Sequence, residues 1–216
     1  MEPREGKPPK VFLLTAGHCA AVPDNEVWRA EYDGDAYPDP YSDAGKHVIG
    51  NVARITLNLD ERAGVRTDAT AIRIKDAGVV PVGVLAWGEQ VPTKPAGWAR
   101  KGTILCYSGS KSKTAACGKV VARSANYHPE DAPFGLGGYW VRFPEDKRPD
   151  HGDSGGPVWN KLTGRAVGLI SASRPEEERT ETLVAPLLHP PNMNPNYVPG
   201  ILKHQGIRPM QLKLGE

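Results

Sequence analysis

The sequence of 216 residues lacks the features that mark several common classes of protein. No run approaches the roughly 18 apolar residues that a membrane-spanning helix requires, so we expect no membrane segment. An excess of one charge is also missing, because 27 Lys and Arg face 25 Asp and Glu, and the net charge of +2 indicates no nucleic-acid partner. The six histidines and three cysteines show no paired spacing of the kind found in zinc sites. We therefore expect no metal and no cofactor.

Glycine and proline, by contrast, are plentiful. The 24 glycines and 21 prolines are scattered along the chain, which is typical of many short strands joined by turns. The apolar runs of strand type are KVFLLTA (10–16), HVIGNVARITL (47–57), TAIRI (70–74), GVVPVGVLAW (78–87), GTILCY (102–107), CGKVVARS (117–124), YWVRF (139–143), GPVW (156–159), AVGLISAS (166–173) and TLVAPLL (182–188). Their spacing favours an all-β sandwich or barrels over alternating strands and helices. One short helix is predicted, over residues 197–206.

The stretch HGDSGGPVW (151–159) places a single serine in a glycine-rich bend ahead of a strand. A rigid bend that exposes one hydroxyl suits a nucleophile, and it also suits an ordinary tight turn. Acyl transfer by Ser154 would need a base, an acceptor that orients the base, and donors that face the oxyanion. The candidate bases are His18, His47, His128, His151, His189 and His204.

Three motifs resemble, in the same order, the catalytic motifs of the chymotrypsin-like serine proteases: LLTAGHC (13–19), TDATAIRI (67–74) and GDSGGPV (152–158). ILCYSGSKSKTAACGKV (104–120) resembles the disulfide hairpin of the secreted bacterial branch, the streptogrisin and α-lytic type. The resemblance covers most of the chain from about Phe12 to Ser173. It implies two six-stranded antiparallel Greek-key β-barrels and a monomeric serine endopeptidase that acts on protein or peptide substrates.

The resemblance also assigns a role to each residue that acyl transfer needs. The nucleophile would be Ser154, the general base His18 and the carboxylate that orients the imidazole Asp68, with the backbone N–H groups of Gly152 and Ser154 as the oxyanion hole. Asp60 and Asp76 lie close to Asp68 in the sequence and are the alternative carboxylates. His151, only three residues from the serine on a tight loop, is a poor candidate for the base.

Five further residues are expected at the substrate cleft. They are Arg148, His151, Ser171, Ala172 and Ser173. By resemblance, Arg148 lies in the stretch that lines the specificity pocket, His151 lies at its rim, and Ser171 lies on the strand that pairs with the substrate backbone. Ala172 and Ser173 replace residues that are commonly glycine or aromatic, so the sequence does not reveal the primary specificity.

The same resemblance implies that Cys106 and Cys117 form a disulfide, which would leave Cys19 as a free thiol. The alternative is a cytosolic protein with free thiols throughout.

The sequence also departs from the family around Asp153. The counterpart of this residue in the family forms a buried ion pair. The bacterial branch usually supplies an arginine directly after the first cysteine of the hairpin, and that residue is Tyr107 here. Because an unpaired buried carboxylate is costly, we expect either another cation, Arg142 or Arg148, or a looser loop.

Three segments follow from the motifs. Residues 1–90 would form the first barrel with His18 and Asp68, residues 91–188 the second barrel with Ser154, and residues 189–216 an extension with the short helix. The best candidate for a linker is 88–102.

The start of the chain leads to a further expectation. The first ten residues, MEPREGKPPK, lack the apolar core of a signal peptide, and relatives have more strands ahead of the histidine motif. We expect a secreted protein that is shortened at its N-terminus, with an incomplete first barrel. The alternative is a naturally minimal barrel whose edge is covered by residues 189–216. Two other functions stay open, namely a catalytically impaired homologue that binds proteins and an esterase with the same acyl chemistry.

Overall fold

The fold of the described residues consists of strands joined by turns. The computed structural model describes residues 12–19, 26–29, 47–55, 65–66, 68–75, 96–112, 114–127, 135–173 and 181–188. The strands in these ranges are β1 (Phe12–Thr15), β2 (Glu26–Arg29), β3 (His47–Ile55), β4 (Val65–Arg66), β5 (Thr70–Ile74), β6 (Ile104–Gly109), β7 (Thr114–Tyr127), β8 (Gly135–Arg142), β9 (Pro157–Asn160), β10 (Ala166–Ser173) and β11 (Glu181–Pro186). The helices in these ranges are two 3-10 turns, Gly17–Cys19 and Glu145–Lys147, and neither is long and apolar enough to cross a membrane. The helix predicted over 197–206 lies outside the described residues.

Six of the strands form a closed barrel. Their order is β11-β10-β9-β6-β7-β8, and β8 pairs with β11 to complete the circle. All six pairings are antiparallel, which confirms the all-β class and the six-stranded barrel. Strand β4 adds a short parallel pairing to β8.

The interior of the barrel is filled by apolar and aromatic side chains. Most of them lie on the strands, and on β6, β7 and β8 they are separated by an even number of residues, as the two-residue period of a strand requires. The members of this core are Ala99, Leu105, Tyr107, Ala116, Val120, Tyr139, Val141, Phe143, Val158, Val167, Ile170 and Val184. Tyr107 and Tyr139 are the largest fully buried side chains, and the Tyr139 hydroxyl accepts a hydrogen bond from the backbone of Ala99 (3.3 Å). The hydroxyl of Tyr139 is thus hydrogen-bonded although the side chain is buried.

The other strands form an antiparallel sheet in the order β1-β5-β3-β2. These four strands belong to the region predicted as the first barrel, and the run predicted as a strand over 78–87 lies outside the described residues. The boundary predicted at residue 90 lies outside them as well, so the division into segments stays a prediction.

A small apolar cluster joins this sheet to the closed barrel. Leu14 lies on β1, and Ala69 directly precedes β5. Leu169 lies on β10, Ala185 lies on β11, and Leu187 directly follows β11. The residues that precede β5 are therefore packed directly against β10 and β11.

Candidate active site

Sheet pairing places His18 and Asp68 at the same end of the four-stranded sheet. Strand β1 ends at Thr15, and its antiparallel neighbour β5 begins at Thr70, directly opposite. His18 follows β1 by three residues on a 3-10 turn, and Asp68 precedes β5 by two. Residues 50 positions apart in the sequence therefore meet, because one strand ends where the other starts.

The Asp68 carboxylate is buried and accepts three hydrogen bonds. Its Oδ1 atom accepts the backbone N–H of His18 (2.9 Å), and Oδ2 lies 2.7 Å from Nδ1 of the same histidine. Oδ2 also accepts the hydroxyl of Ser171 (2.7 Å). Asp68 is 1% exposed, whereas the His18 side chain is 45% exposed. The alternative carboxylates Asp60 and Asp76 lie outside the described residues.

The carboxylate changes the acid–base behaviour of His18. The hydrogen bond to Asp68 raises the pKa of the imidazole above its ordinary value of 6.5, and the neighbouring Cys19 acts in the same direction. Because Nδ1 is engaged with Asp68, Nε2 is the ring nitrogen that remains for a proton acceptor role.

Ser154 follows a tight turn. The N–H of Asp153 donates to the carbonyl of Asp150 (3.0 Å), and Gly152 has a φ of 96°, as the third residue of a type II turn requires. The N–H groups of Gly155 and Gly156 donate to Ile170 and Asp153. Within the described ranges, the N–H groups of Gly152 and Ser154 donate no backbone hydrogen bond.

The serine loop and the histidine segment are in contact. Gly155 lies so close to Thr15 that a Cβ atom there would overlap the Thr15 hydroxyl. The Sγ atom of Cys19 lies 4.0 Å from the carbonyl oxygen of Ser154. Among the residues described, no hydrogen bond joins the Ser154 hydroxyl to the His18 ring. The structure thus brings the two segments together without closing that bond.

The residues predicted at the substrate cleft lie on two segments of the chain, one directly before Ser154 and the other on β10. Arg148 is half-buried after the 3-10 turn Glu145–Lys147, and His151 is exposed on the turn before Ser154. On β10, pairing with β9 ends at Leu169.

The other three predicted cleft residues lie beyond that point on β10. Ser171 is buried and donates to Asp68, Ala172 packs against Leu183, and Ser173 is exposed. The bond between Ser171 and Asp68 was not foreseen, since the sequence predicted a substrate contact for this residue. Within the ranges described, no group of three or more His, Cys, Asp or Glu side chains could hold a metal ion.

The predicted disulfide is confirmed. Cys106 and Cys117 are directly opposite each other on β6 and β7 and are joined, and Cys19 is an exposed free thiol.

The expectation that Arg142 pairs with Asp153 requires a correction, whereas the pairing of Arg148 stays a prediction. Its buried carboxylate accepts backbone N–H groups from Lys111 (2.8 Å), Ser112 (3.0 Å) and Asp150 (3.0 Å). Arg142, one of the two expected partners, pairs instead with Glu181 (2.7 Å). Backbone donors stabilise a buried carboxylate without a second ion, and they leave no signature in the sequence.

Comparison with known proteins identifies the fold. No protein-family model and no curated protein matches the sequence. Among solved structures, the chain is similar to Cellulomonas bogoriensis chymotrypsin, with 23% identity, a TM-score of 0.56, and coverage of 92% of this chain and 85% of the other. It is also similar to Thermobifida fusca Protease A, with 21% identity, a TM-score of 0.59, and coverage of 91% and 83%.

A third similar structure is Nocardiopsis protease, with 20% identity, a TM-score of 0.53, and coverage of 80% of this chain and 77% of the other. The chain therefore has the fold of the chymotrypsin-like serine proteases, as the sequence motifs predicted. At these identities the similarity establishes the fold.

Proposed function

We propose that the protein is a serine endopeptidase in which Ser154, His18 and Asp68 act as nucleophile, general base and orienting carboxylate. The observation that carries this proposal is the buried Asp68 carboxylate, which binds both the backbone and the ring of His18. Such a carboxylate fixes the tautomer and the orientation of an imidazole and stabilises its protonated form. The contact between the histidine segment and the serine loop adds support.

The proposed reaction proceeds through an acyl-enzyme. Ser154 Oγ attacks the carbonyl carbon of the scissile peptide bond while its proton passes to Nε2 of His18. The oxyanion that forms accepts hydrogen bonds from the N–H groups of Gly152 and Ser154. His18 then donates the proton to the leaving amine, and a water molecule, activated by the same nitrogen, hydrolyses the ester. Because the N–H groups of Gly152 and Ser154 donate no backbone hydrogen bond within the described part of the chain, they are suited to this role.

The missing hydrogen bond between Ser154 and His18 is compatible with this mechanism. Hydrogen bonds between catalytic groups are often long or poorly aligned before substrate binds and tighten in the complex. We further propose that Arg148, His151, Ser171, Ala172 and Ser173 line the substrate cleft, with the substrate backbone added beside β10. Because the disulfide persists only under oxidising conditions, we propose that the protein acts outside the cytosol.

The test combines labelling with a substrate comparison. A fluorophosphonate probe should label the wild-type protein, and Ser154→Ala should remain unlabelled with an unchanged fold by circular dichroism. Hydrolysis of a peptide library together with simple esters would support the endopeptidase. Hydrolysis of esters alone would indicate an esterase, and a wild-type protein that neither labels nor turns over would indicate the impaired, protein-binding homologue. His18→Ala should lower kcat by about the same factor as Ser154→Ala, roughly 10⁴-fold or more, because nucleophile and base act as a unit.

A further inference from the structure

The tip of the β6–β7 hairpin lies against the loop that carries Ser154. The backbone of Lys111 and Ser112 donates to the Asp153 carboxylate, and Asp153 is 1% exposed. The backbone of Gly109 is so close that a Cβ atom there would overlap the same carboxylate. The hairpin tip, defined as residues 109–112, therefore forms one wall around the residue that precedes the nucleophile.

A second contact reaches the turn itself. The hydroxyl of Ser110 donates to the carbonyl oxygen of Gly152 (3.0 Å). This carbonyl belongs to the peptide group between Gly152 and Asp153, whose N–H donates to Asp150 (3.0 Å). Both the carbonyl oxygen and the N–H of that peptide group are thus hydrogen-bonded. This peptide lies between the two peptide groups whose N–H groups are proposed for the oxyanion hole, so fixing it restricts the orientation of both donors.

Tyr107 connects the hairpin tip to the segment that enters the turn. Its ring is fully buried and packs edge-on against Phe143, with centroids 5.0 Å apart. Its hydroxyl donates to the carbonyl of Lys147 (3.2 Å) and lies 3.4 Å from Oγ of Ser112. Burial raises the pKa of Tyr107, so the hydroxyl keeps its proton and remains a donor. Lys147 is three residues before Asp150, where the turn begins.

We propose that the hairpin tip positions the proposed oxyanion hole, with Ser110 and Tyr107 as positioning residues that act through Gly152 and through the Asp153 carboxylate. This inference rests on the function proposed above. Electrostatic stabilisation of an oxyanion requires donors that are aligned before the reaction, and a glycine-containing turn without external contacts would allow the peptide to rotate. Here backbone N–H groups and hydroxyls of the described hairpin supply that restraint.

The experiment measures kcat and KM for a peptide substrate in Ser110→Ala and Tyr107→Phe, with concentrations normalised by fluorophosphonate titration. Each variant removes only a hydroxyl, and Tyr107→Phe keeps the ring that packs against Phe143. We expect kcat to fall roughly three- to tenfold, the effect of one hydrogen bond, while KM stays within about twofold. Ser110→Thr, which restores a hydroxyl, should recover most of the loss.

The matched control is Thr103→Ala, which removes a hydroxyl that accepts the Arg100 N–H (3.0 Å) in a turn outside the proposed site. It should leave kcat and KM unchanged. An active wild-type protein whose kcat is unaffected by both Ser110→Ala and Tyr107→Phe would overturn the inference. So would a fall in thermal midpoint alone, because that is the signature of a merely structural role. A wild-type protein that neither labels nor turns over would refute the proposed function, and the inference would fall with it.

Discussion

Ser171 donates a hydrogen bond of 2.7 Å to Oδ2 of Asp68, the same oxygen that contacts Nδ1 of His18. Ser171 lies on β10 of the closed barrel, whereas Asp68 precedes β5 of the four-stranded sheet. Both residues are buried, at 4% and 1% exposure. The orientation of the proposed base therefore depends on a contact between the two sheets, not only on the sheet that carries it.

Replacement of Ser171 should impair catalysis. In Ser171→Ala, Asp68 loses one of its three donors, and its orientation toward His18 becomes less restricted. A hydrogen bond to a charged group contributes about 1.5–3 kcal/mol, so we expect kcat/KM to fall roughly tenfold or more. Steady-state kinetics on a peptide substrate provides the measurement, with Thr103→Ala as the control. An unchanged kcat/KM in Ser171→Ala would show that the remaining bonds to His18 orient the carboxylate on their own.

The pH dependence of activity should follow His18. A protonated imidazole cannot accept the serine proton, so kcat/KM should be low at acid pH and rise as the ring loses its proton. Because the hydrogen bond to Asp68 raises the pKa of His18, we expect the midpoint of this rise to lie above pH 6.5. NMR titration of the imidazole in Ser154→Ala should give a pKa raised in the same direction. A profile that is flat between pH 5 and 8 would rule out His18 as the base.

The part of the candidate site that could be predicted depends on side chains in recognisable motifs. His18, Asp68 and Ser154 stand in segments whose strands and turns have clear patterns, and the hairpin cysteines are directly opposite in register. The environment of Asp153 could not be predicted, because its partners are backbone N–H groups of a hairpin tip. Any residue except proline offers such a donor, so only the folded chain reveals which ones converge.

Strands with a clear apolar pattern could be predicted from the sequence, whereas short strands without one could not. Runs such as AVGLISAS and TAIRI form strands β10 and β5 as predicted, because their apolar residues match a buried strand. Strands β2, Glu26–Arg29, and β4, Val65–Arg66, were missed. The two residues of β4 carry no periodic pattern, and their pairing to β8 is decided by tertiary contact alone.

The free thiol of Cys19 should report on the mouth of the proposed site. Its Sγ atom is exposed and lies 4.0 Å from the carbonyl oxygen of Ser154, beside the His18 ring. A bulky maleimide on Cys19 should therefore hinder substrate and lower kcat/KM, whereas Cys19→Ala treated in the same way should keep its activity. Intact mass should show one label per chain without reduction. Full activity of the labelled wild-type protein would place this thiol away from the path of the substrate.

The disulfide between Cys106 and Cys117 should stabilise the barrel measurably. It closes a loop with a sequence separation of 11, for which the restriction of the unfolded chain contributes about 3 kcal/mol. We expect the free energy of unfolding, from urea titration monitored by tryptophan fluorescence, to fall by about that amount in reducing buffer. Reduction is a cleaner test than substitution, because Cys106 packs with Trp159 and its truncation would also leave a cavity. Cys19→Ala serves as the control and should show the same drop on reduction, since the thiol of Cys19 is not part of the bond. Equal stability in oxidising and reducing buffer would contradict the prediction.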